Sequence, residues 1–447
     1  MSIVVDAVTA LRARLERGAT GVISVTMTQR LTTSMLLGMS RSFADHAPRT
    51  VFIDAGSESP AATIGVGVAA TVDIVASATD AQHAVRQLLS QDARRVVLLA
   101  VPFAPSAATS SRAVCVPRLW LRQRAGEAMP ELAVDVGDGH VDAALSLLQA
   151  LLEAPAPRVA HARRPFARVD APDQRGHADA VAEALAAIDR GDVSKVVLAR
   201  RSTIATGPVR GVHLDDLLAG LLRRERRGTA YLVVNDGDGD GDAFFGCSPE
   251  RLCIRRHRRL DVDALAGTAA RGADDDDDDV LAERLRSDGK ERREHAAVVD
   301  AVVGAVRPLS STIDVPGAPD VVRLGRVQHL HTPISAQLLD DAPVFAALHP
   351  TPAVAGTPRD AATALIARLE PFARGLYAGF VGVADADGEH LTVALRCGHA
   401  HDDVVDVYAG SGLVEGAVAE REWLELERKA GLVLDVLHDQ LGEPAHG

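Results

Sequence analysis

Apolar residues along this chain recur with two periods, and the alternation between them outlines the elements. Near the N-terminus "VDAVTALRARLERG" spaces its apolar positions three and four apart, which predicts a helix. Short β-rich runs follow, "RTVFIDA", "ATIGVGVAATVDI" and "RRVVLLAVPF", and then a helix, "HVDAALSLLQALLEA". The Pro- and Arg-rich passage 154–173 reads as a connector. After it come a helix, a Gly turn and a strand in "HADAVAEALAAIDRGDVSKVVLARRSTI", and a helix near 213–226. "TAYLVVN" with "AFFGCSPERLCIRR" reads as a hairpin pair, and "RLDVDALAG" as a further strand. Residues 279–306 read as one long helix, 377–412 as three short strands around turns, and 419–440 as a closing helix. Strands in hairpins beside long helices predict a large α/β (α+β) architecture with mainly antiparallel pairing rather than a doubly wound βαβ sheet. The pattern divides into a β-rich portion at 1–155 and a second region at 175–440, expected to form one unit.

Composition narrows the function. Of the 447 residues 47% are apolar and 24% charged, a soluble globular balance, and no apolar run is long enough to span a bilayer, so the expectation is a cytoplasmic protein. The net charge of −13 argues against nucleic acid or an anionic membrane as partner, yet leaves room for a small anionic substrate in a cleft with local cations. The four cysteines lack zinc-like spacing and are expected to be reduced. Lys and Arg total 48, but lysine occurs only at Lys195, Lys290 and Lys429. Arginine substitutes for lysine on a surface but not where a base or a compact point charge is needed, so these three positions are flagged.

Several acidic segments suggest a metal. "DGDGDG" at 236–241 opens like a calcium loop, but position twelve is Cys247 rather than glutamate, and a hairpin turn explains it better. Asp274 to Asp279 form a run of six aspartates. Contiguous like charges favour a solvated loop, with Asp278 and Asp279 suited to capping the helix that follows. Glu291 and Glu294, and likewise Glu422 and Glu425, stand at i, i+3 on two helices, each pair near a flagged lysine. Such pairs usually form a solvated face. Two helices each offering carboxylates also make a hard oxygen site suited to magnesium, whereas a di-iron site would want Glu-x-x-His.

The strings "SKVVLARR", "FFGCSPERL", "ALAGTAARG", "KERREH", "VQHLHTPI", "LHPTPAVAGTPR", "YAGFVG", "VALRCGHA", "YAGSGLV" and "EWLELERK" occur in the order seen in chorismate-utilising enzymes. The chain resembles the isochorismate synthases most closely, over roughly 175–440, with a looser N-terminal third. The resemblance implies an anthranilate-synthase-component-I-like fold and a Mg2+-dependent enzyme that adds water at C2 of chorismate and expels the C4 hydroxyl. It assigns Lys195 as base and Glu250 as acid. Glu294 and Glu425 match the metal ligands, and Glu291 and Glu422 the carboxylates that hold metal-bound waters. Tyr377, Arg396, Lys429 and the amides of Gly410 and Gly412 match groups that bind the enolpyruvyl carboxylate, while Gly267, His329 and Thr332 match positions lining the ring. Relatives suggest a monomer, serving menaquinone or siderophore synthesis.

Motif variants separate the relatives. Anthranilate synthases carry glutamine where Lys195 stands, and aminodeoxychorismate synthases carry a nucleophilic lysine where Ala266 stands. Salicylate synthases share the lysine and then eliminate pyruvate, so they remain the alternative; Ala353 in "HPTPAVAG" favours an isochorismate synthase. A non-catalytic acidic protein binding calcium or a basic partner is the alternative of another class.

Overall fold

The computed structural model describes residues 2–43, 48–55, 61–72, 77–104, 113–124, 129–152, 167–206, 213–225, 227–235, 242–324, 327–340 and 342–441. Within them two large sheets carry the fold, of 12 and 10 strands, and every strand pair is antiparallel. The expected α/β architecture with antiparallel sheets is therefore the one observed.

Strands from the first third of the chain are built into both sheets. Arg49–Asp54 pairs with Thr229–Asn235 in the larger sheet, and Val97–Val101 pairs with Phe380–Asp385 in the smaller. One apolar core takes residues from both sheets, including Leu198, Phe244, Leu252, Leu260 and Phe380. A second joins the larger sheet to the helices Ser2–Glu16, Leu214–Arg224 and Ala419–Leu441 through Leu11, Leu217, Phe245 and Leu437. Each such fully buried side chain is worth about 1.5–3 kcal/mol of transfer free energy, so helix Ala419–Leu441 is held by its apolar face, which adjoins Glu422.

Three local expectations are corrected. The segment read as one hairpin arm, "AFFGCSPERLCIRR", is two strands in different sheets: Asp242–Ser248 lies in the larger and Arg251–Arg256 in the smaller, with the chain crossing over at Pro249 and Glu250. The helix predicted at 279–306 is two helices, Asp275–Ser287 and Gly289–Val306. Asp288 separates them, because its carboxylate caps the second helix by accepting from the amides of Lys290 and Glu291 at 2.8 and 3.0 Å. The three strands expected at 377–412 are four, Phe380–Asp385, Gly388–Val393, Cys397–His401 and Val404–Leu413. All four cysteines are buried and free. Among the described residues no helix is long and apolar enough to cross a membrane.

Candidate active site

A cleft opens where the two sheets meet the helices Gly289–Val306 and Ala419–Leu441. Its floor is the strand Lys195–Ala205, paired with Val404–Leu413 so that Val197 faces Gly412 and Ala199 faces Gly410. Strand alternation sends Lys195 and Val197 to the same side, into the cleft. The two glycines keep that space open. A Cβ on Gly410 would stand 2.6 Å from the Tyr377 hydroxyl, and one on Gly412 2.9 Å from Glu294 Oε1 and 3.1 Å from Lys195 Cε. The Gly410 carbonyl accepts from Lys429 Nζ at 3.0 Å.

Glu250 sits at the crossover between the sheets. Its amide donates to Ser248 Oγ, and its carbonyl accepts from the Val393 amide and the Thr392 hydroxyl at 3.0 and 2.6 Å. With the backbone fixed, the carboxyl lines the cleft that Lys195 enters from the larger sheet. Burial pushes its pKa up to about 7, partly offset by the charges of Lys195, Lys429 and Arg396. A half-protonated carboxyl at neutral pH is what a general acid requires.

On the other wall, Gly267 is the extra residue of a β-bulge in Arg259–Ala270, between the pairs Ala266–Leu330 and Thr268–His329. Its φ of +76° suits glycine, and a Cβ would meet the Glu291 carbonyl at 3.1 Å. The bulge turns the Thr268 amide onto Glu291 Oε2 at 2.8 Å and the Gly267 carbonyl onto His329 Nδ1 at 3.1 Å. A carbonyl only accepts, so Nδ1 carries the hydrogen. Burial, then Arg396 and Lys429, lower the His329 pKa to about 3, so the ring is neutral and its Nε2 is an acceptor.

The four glutamates meet across the two helices, each held by a cation or an amide. Lys195 Nζ is 2.9 Å from Glu294 Oε1, Lys429 Nζ is 2.5 Å from Glu425 Oε1, and Lys290 Nζ is 3.7 Å from both Glu291 Oε1 and Glu422 Oε1. Burial and the charge of Glu425 push Glu422 up to about 7; burial, and further the charge of Glu294, raise Glu291. In Glu425 the neighbouring Lys429 outweighs burial and lowers the pKa. Carboxylates that raise one another's pKa are short of positive charge, and their oxygens suit a hard divalent ion. Among the described residues no group of three or more His, Cys, Asp or Glu is preassembled around one point.

At the far end of the cleft Tyr377 stacks on Tyr408 with ring centroids 5.2 Å apart, and Arg396 takes the left-handed φ of +50°. Such a conformation costs on the order of 1 kcal/mol, and Arg396 lines the cleft, as does Ala353.

Comparison with known proteins places this arrangement. The family described as chorismate binding enzyme matches residues 13–438. The chain belongs to the chorismate-binding enzymes. It is 38% identical over 261 residues to isochorismate synthase MenF of Escherichia coli (strain K12), covering 58% of this chain and 59% of that protein. To isochorismate synthase DhbC of Bacillus subtilis (strain 168) it is 36% identical over 267 residues, 58% of this chain and 66% of the relative. These alignments thus span about three fifths of the relatives' length. The solved structure of MenF, described as the menaquinone-specific isochorismate synthase of Escherichia coli, superposes with a TM-score of 0.84 at 29% identity, over 97% of this chain and 99% of that one.

In this chorismate-binding enzyme the cleft brings together Lys195, Glu250, Gly267, Glu294, His329, Ala353, Tyr377, Arg396, Gly410, Gly412 and Lys429. Glu425 reaches it through Lys429, and Glu291 and Glu422 stand behind through Lys290. Thr332, expected along the ring, is set back: its hydroxyl is 2.7 Å from His295 Nε2, whose Nδ1 is bound to the Ala266 carbonyl. With Nδ1 donating to that carbonyl, Nε2 accepts, and the Thr332 hydroxyl spends its hydrogen on His295.

The aspartate run is also corrected, from a solvated loop to the first turn of a helix. Asp274 is the cap, accepting from the Asp277 amide at 2.9 Å, and Asp275 to Asp278 lie within the helix. Asp278 is buried, accepting from Arg271 Nε at 2.7 Å and the Gly272 amide at 2.6 Å, and Asp279 pairs with Arg323. "DGDGDG" at 236–241 lies outside the described residues, but it joins the antiparallel pair Thr229–Asn235 and Asp242–Ser248, and Cys247 is buried in the latter.

Residue-level reading missed the buried pair Glu370–Arg374 behind the cleft. Arg374 donates to the carbonyls of Val197 and Val354, each at 2.8 Å, and lies over the Phe103 ring. Its i, i+4 spacing was a signal, though a weak one.

Proposed function

We propose that this chain is an isochorismate synthase, which isomerises chorismate by adding water at C2 and losing the C4 hydroxyl. The observation that carries the reading is that Lys195, from the larger sheet, and Glu250, from the crossover between the two sheets, line one cleft together with Glu294 and Arg396. In this reading Lys195 takes the proton of the incoming water, and Glu250, its carboxyl neutral in part at pH 7, hands a proton to the departing hydroxyl. Arg396, Tyr377 and Lys429 hold the enolpyruvyl carboxylate, for which a guanidinium fork is geometrically suited, and the neutral His329 offers Nε2 to a ring hydroxyl. Glu294 and Glu425 would hold magnesium, with Glu291 and Glu422 on its waters. The bound ion supplies positive charge for the ring carboxylate. Ala266 removes the covalent nucleophile that an amination route would need. The same reading makes the protein a cytoplasmic monomer with no nucleic-acid or membrane partner.

Incubating the purified protein with chorismate and magnesium and resolving the products chromatographically tests this. Isochorismate alone is the expected result. Salicylate with pyruvate would select the eliminating variant, and untouched chorismate would overturn the reading.

A further inference from the structure

All three lysines of the chain stand against the glutamates of the two cleft helices. Lys195 and Lys429 line the cleft and have roles in the proposed chemistry. Lys290 does not line it. It lies in the first turn of Gly289–Val306, and its Nζ is equidistant, at 3.7 Å, from Glu291 on its own helix and from Glu422 on Ala419–Leu441. One ammonium therefore links the two helices through the carboxylates that sit one turn before the proposed ligands Glu294 and Glu425.

We propose that Lys290 is a built-in counterion that competes with magnesium for the glutamate cluster and sets how tightly the ion binds. The inference rests on the magnesium reading above. Three ammonium groups face four carboxylates, so the cluster keeps a net negative charge while each ammonium offsets part of the field that would attract a divalent ion. Of the three, Lys290 is the one with no place in the cleft, so its charge acts on the cluster alone. Although burial disfavours its charge, the combined fields of Glu422, Glu291, Glu294 and Glu425 outweigh that and keep it protonated. Contacts of 3.7 Å are too long for hydrogen bonds that would fix the carboxylates' geometry. Lys290 thus acts through its charge more than through positioning, and the two roles predict opposite signs. Losing a counterion strengthens attraction for a cation, whereas losing a scaffold weakens the site.

Calorimetric titration with magnesium chloride alone, at fixed ionic strength and pH 8, separates them in the full-length protein. Lys290→Met keeps the stem and removes the charge, and it should bind magnesium roughly tenfold more tightly than wild type. Lys290→Arg keeps the charge and should stay near wild type. The magnesium-induced rise in Tm should likewise be larger in Lys290→Met. Unchanged or weaker binding by Lys290→Met overturns the proposal while leaving the metal site standing. Absence of magnesium binding by the wild type overturns the metal site as well.

Discussion

Two groups of carboxylates in this chain, the aspartate run and the glutamates of the cleft helices, differ in what faces them. Asp278, in the aspartate run, accepts from an arginine and a backbone amide, and the Arg271 guanidinium holds its pKa down at about 2. Glu422, on the closing helix, faces Glu425 and a single lysine at 3.7 Å, and burial with like charge pushes it up to about 7. The first carboxylate has what it needs from its own neighbourhood. The second is short of positive charge, which is the condition of a group that receives a ligand. The number of acidic residues in a segment is thus a poorer guide to its chemistry than the partners those residues lack.

The largest test of this contrast is at the cleft. Lys195→Arg keeps the charge but not an accessible base, and should lower kcat by roughly a thousandfold; wild-type turnover in steady-state assays would break the assignment. Glu250→Gln should cost a similar factor, on the order of 10²- to 10⁴-fold. In the wild type, loss of the Glu250 proton as pH rises through about 7 should give the falling alkaline limb of the pH–rate profile. The same group makes a stability prediction. Its folded pKa lies above the model-peptide value near 4.3, so the folded state binds more protons between the two, and stability should fall as pH rises from about 4 to 7. Chemical denaturation of wild type and Glu250→Gln over that range should show the decline flattened in the variant.

Glu425→Gln should raise the magnesium concentration for half-maximal activity by about 10- to 100-fold, and an unchanged titration would count against it as a ligand. In the aspartate run the expected effects are on stability instead. Asp278→Asn should lower Tm, because Arg271 loses its charged partner, without altering kcat. Asp275→Asn and Asp276→Asn, both exposed, should each change stability by no more than about 0.5 kcal/mol.

Much of this was legible in the residues, because it depends on short spacing. The i, i+3 glutamates, the strand beginning at Lys195 and the scarcity of lysine are all read from the residues themselves, and the structure brings the three lysines to one cluster. What was not legible depends on contacts far along the chain. The change of sheet at Pro249 and Glu250 is decided by pairing with Cys397–His401 before it and Gly388–Val393 after it, more than 130 residues away. Thr332 is not among the residues lining the cleft, and its hydroxyl meets His295, on another element. The aspartate run is a different failure. Its partner Arg271 stands only seven residues before Asp278, within reach of a local salt bridge, while the other five aspartates of the run are exposed, as contiguous like charges favour. The break at Asp288 was likewise marked by an Asp-Gly pair with capping chemistry.

The central claim is that Lys195 and Glu250 carry out addition of water at C2 with loss of the original hydroxyl. Running the reaction in oxygen-18 water and locating the label in the product by mass spectrometry tests it most directly. The account predicts isochorismate carrying one heavy oxygen, in the C2 hydroxyl. Unlabelled isochorismate, which would mean that the substrate's own hydroxyl migrates, would contradict it.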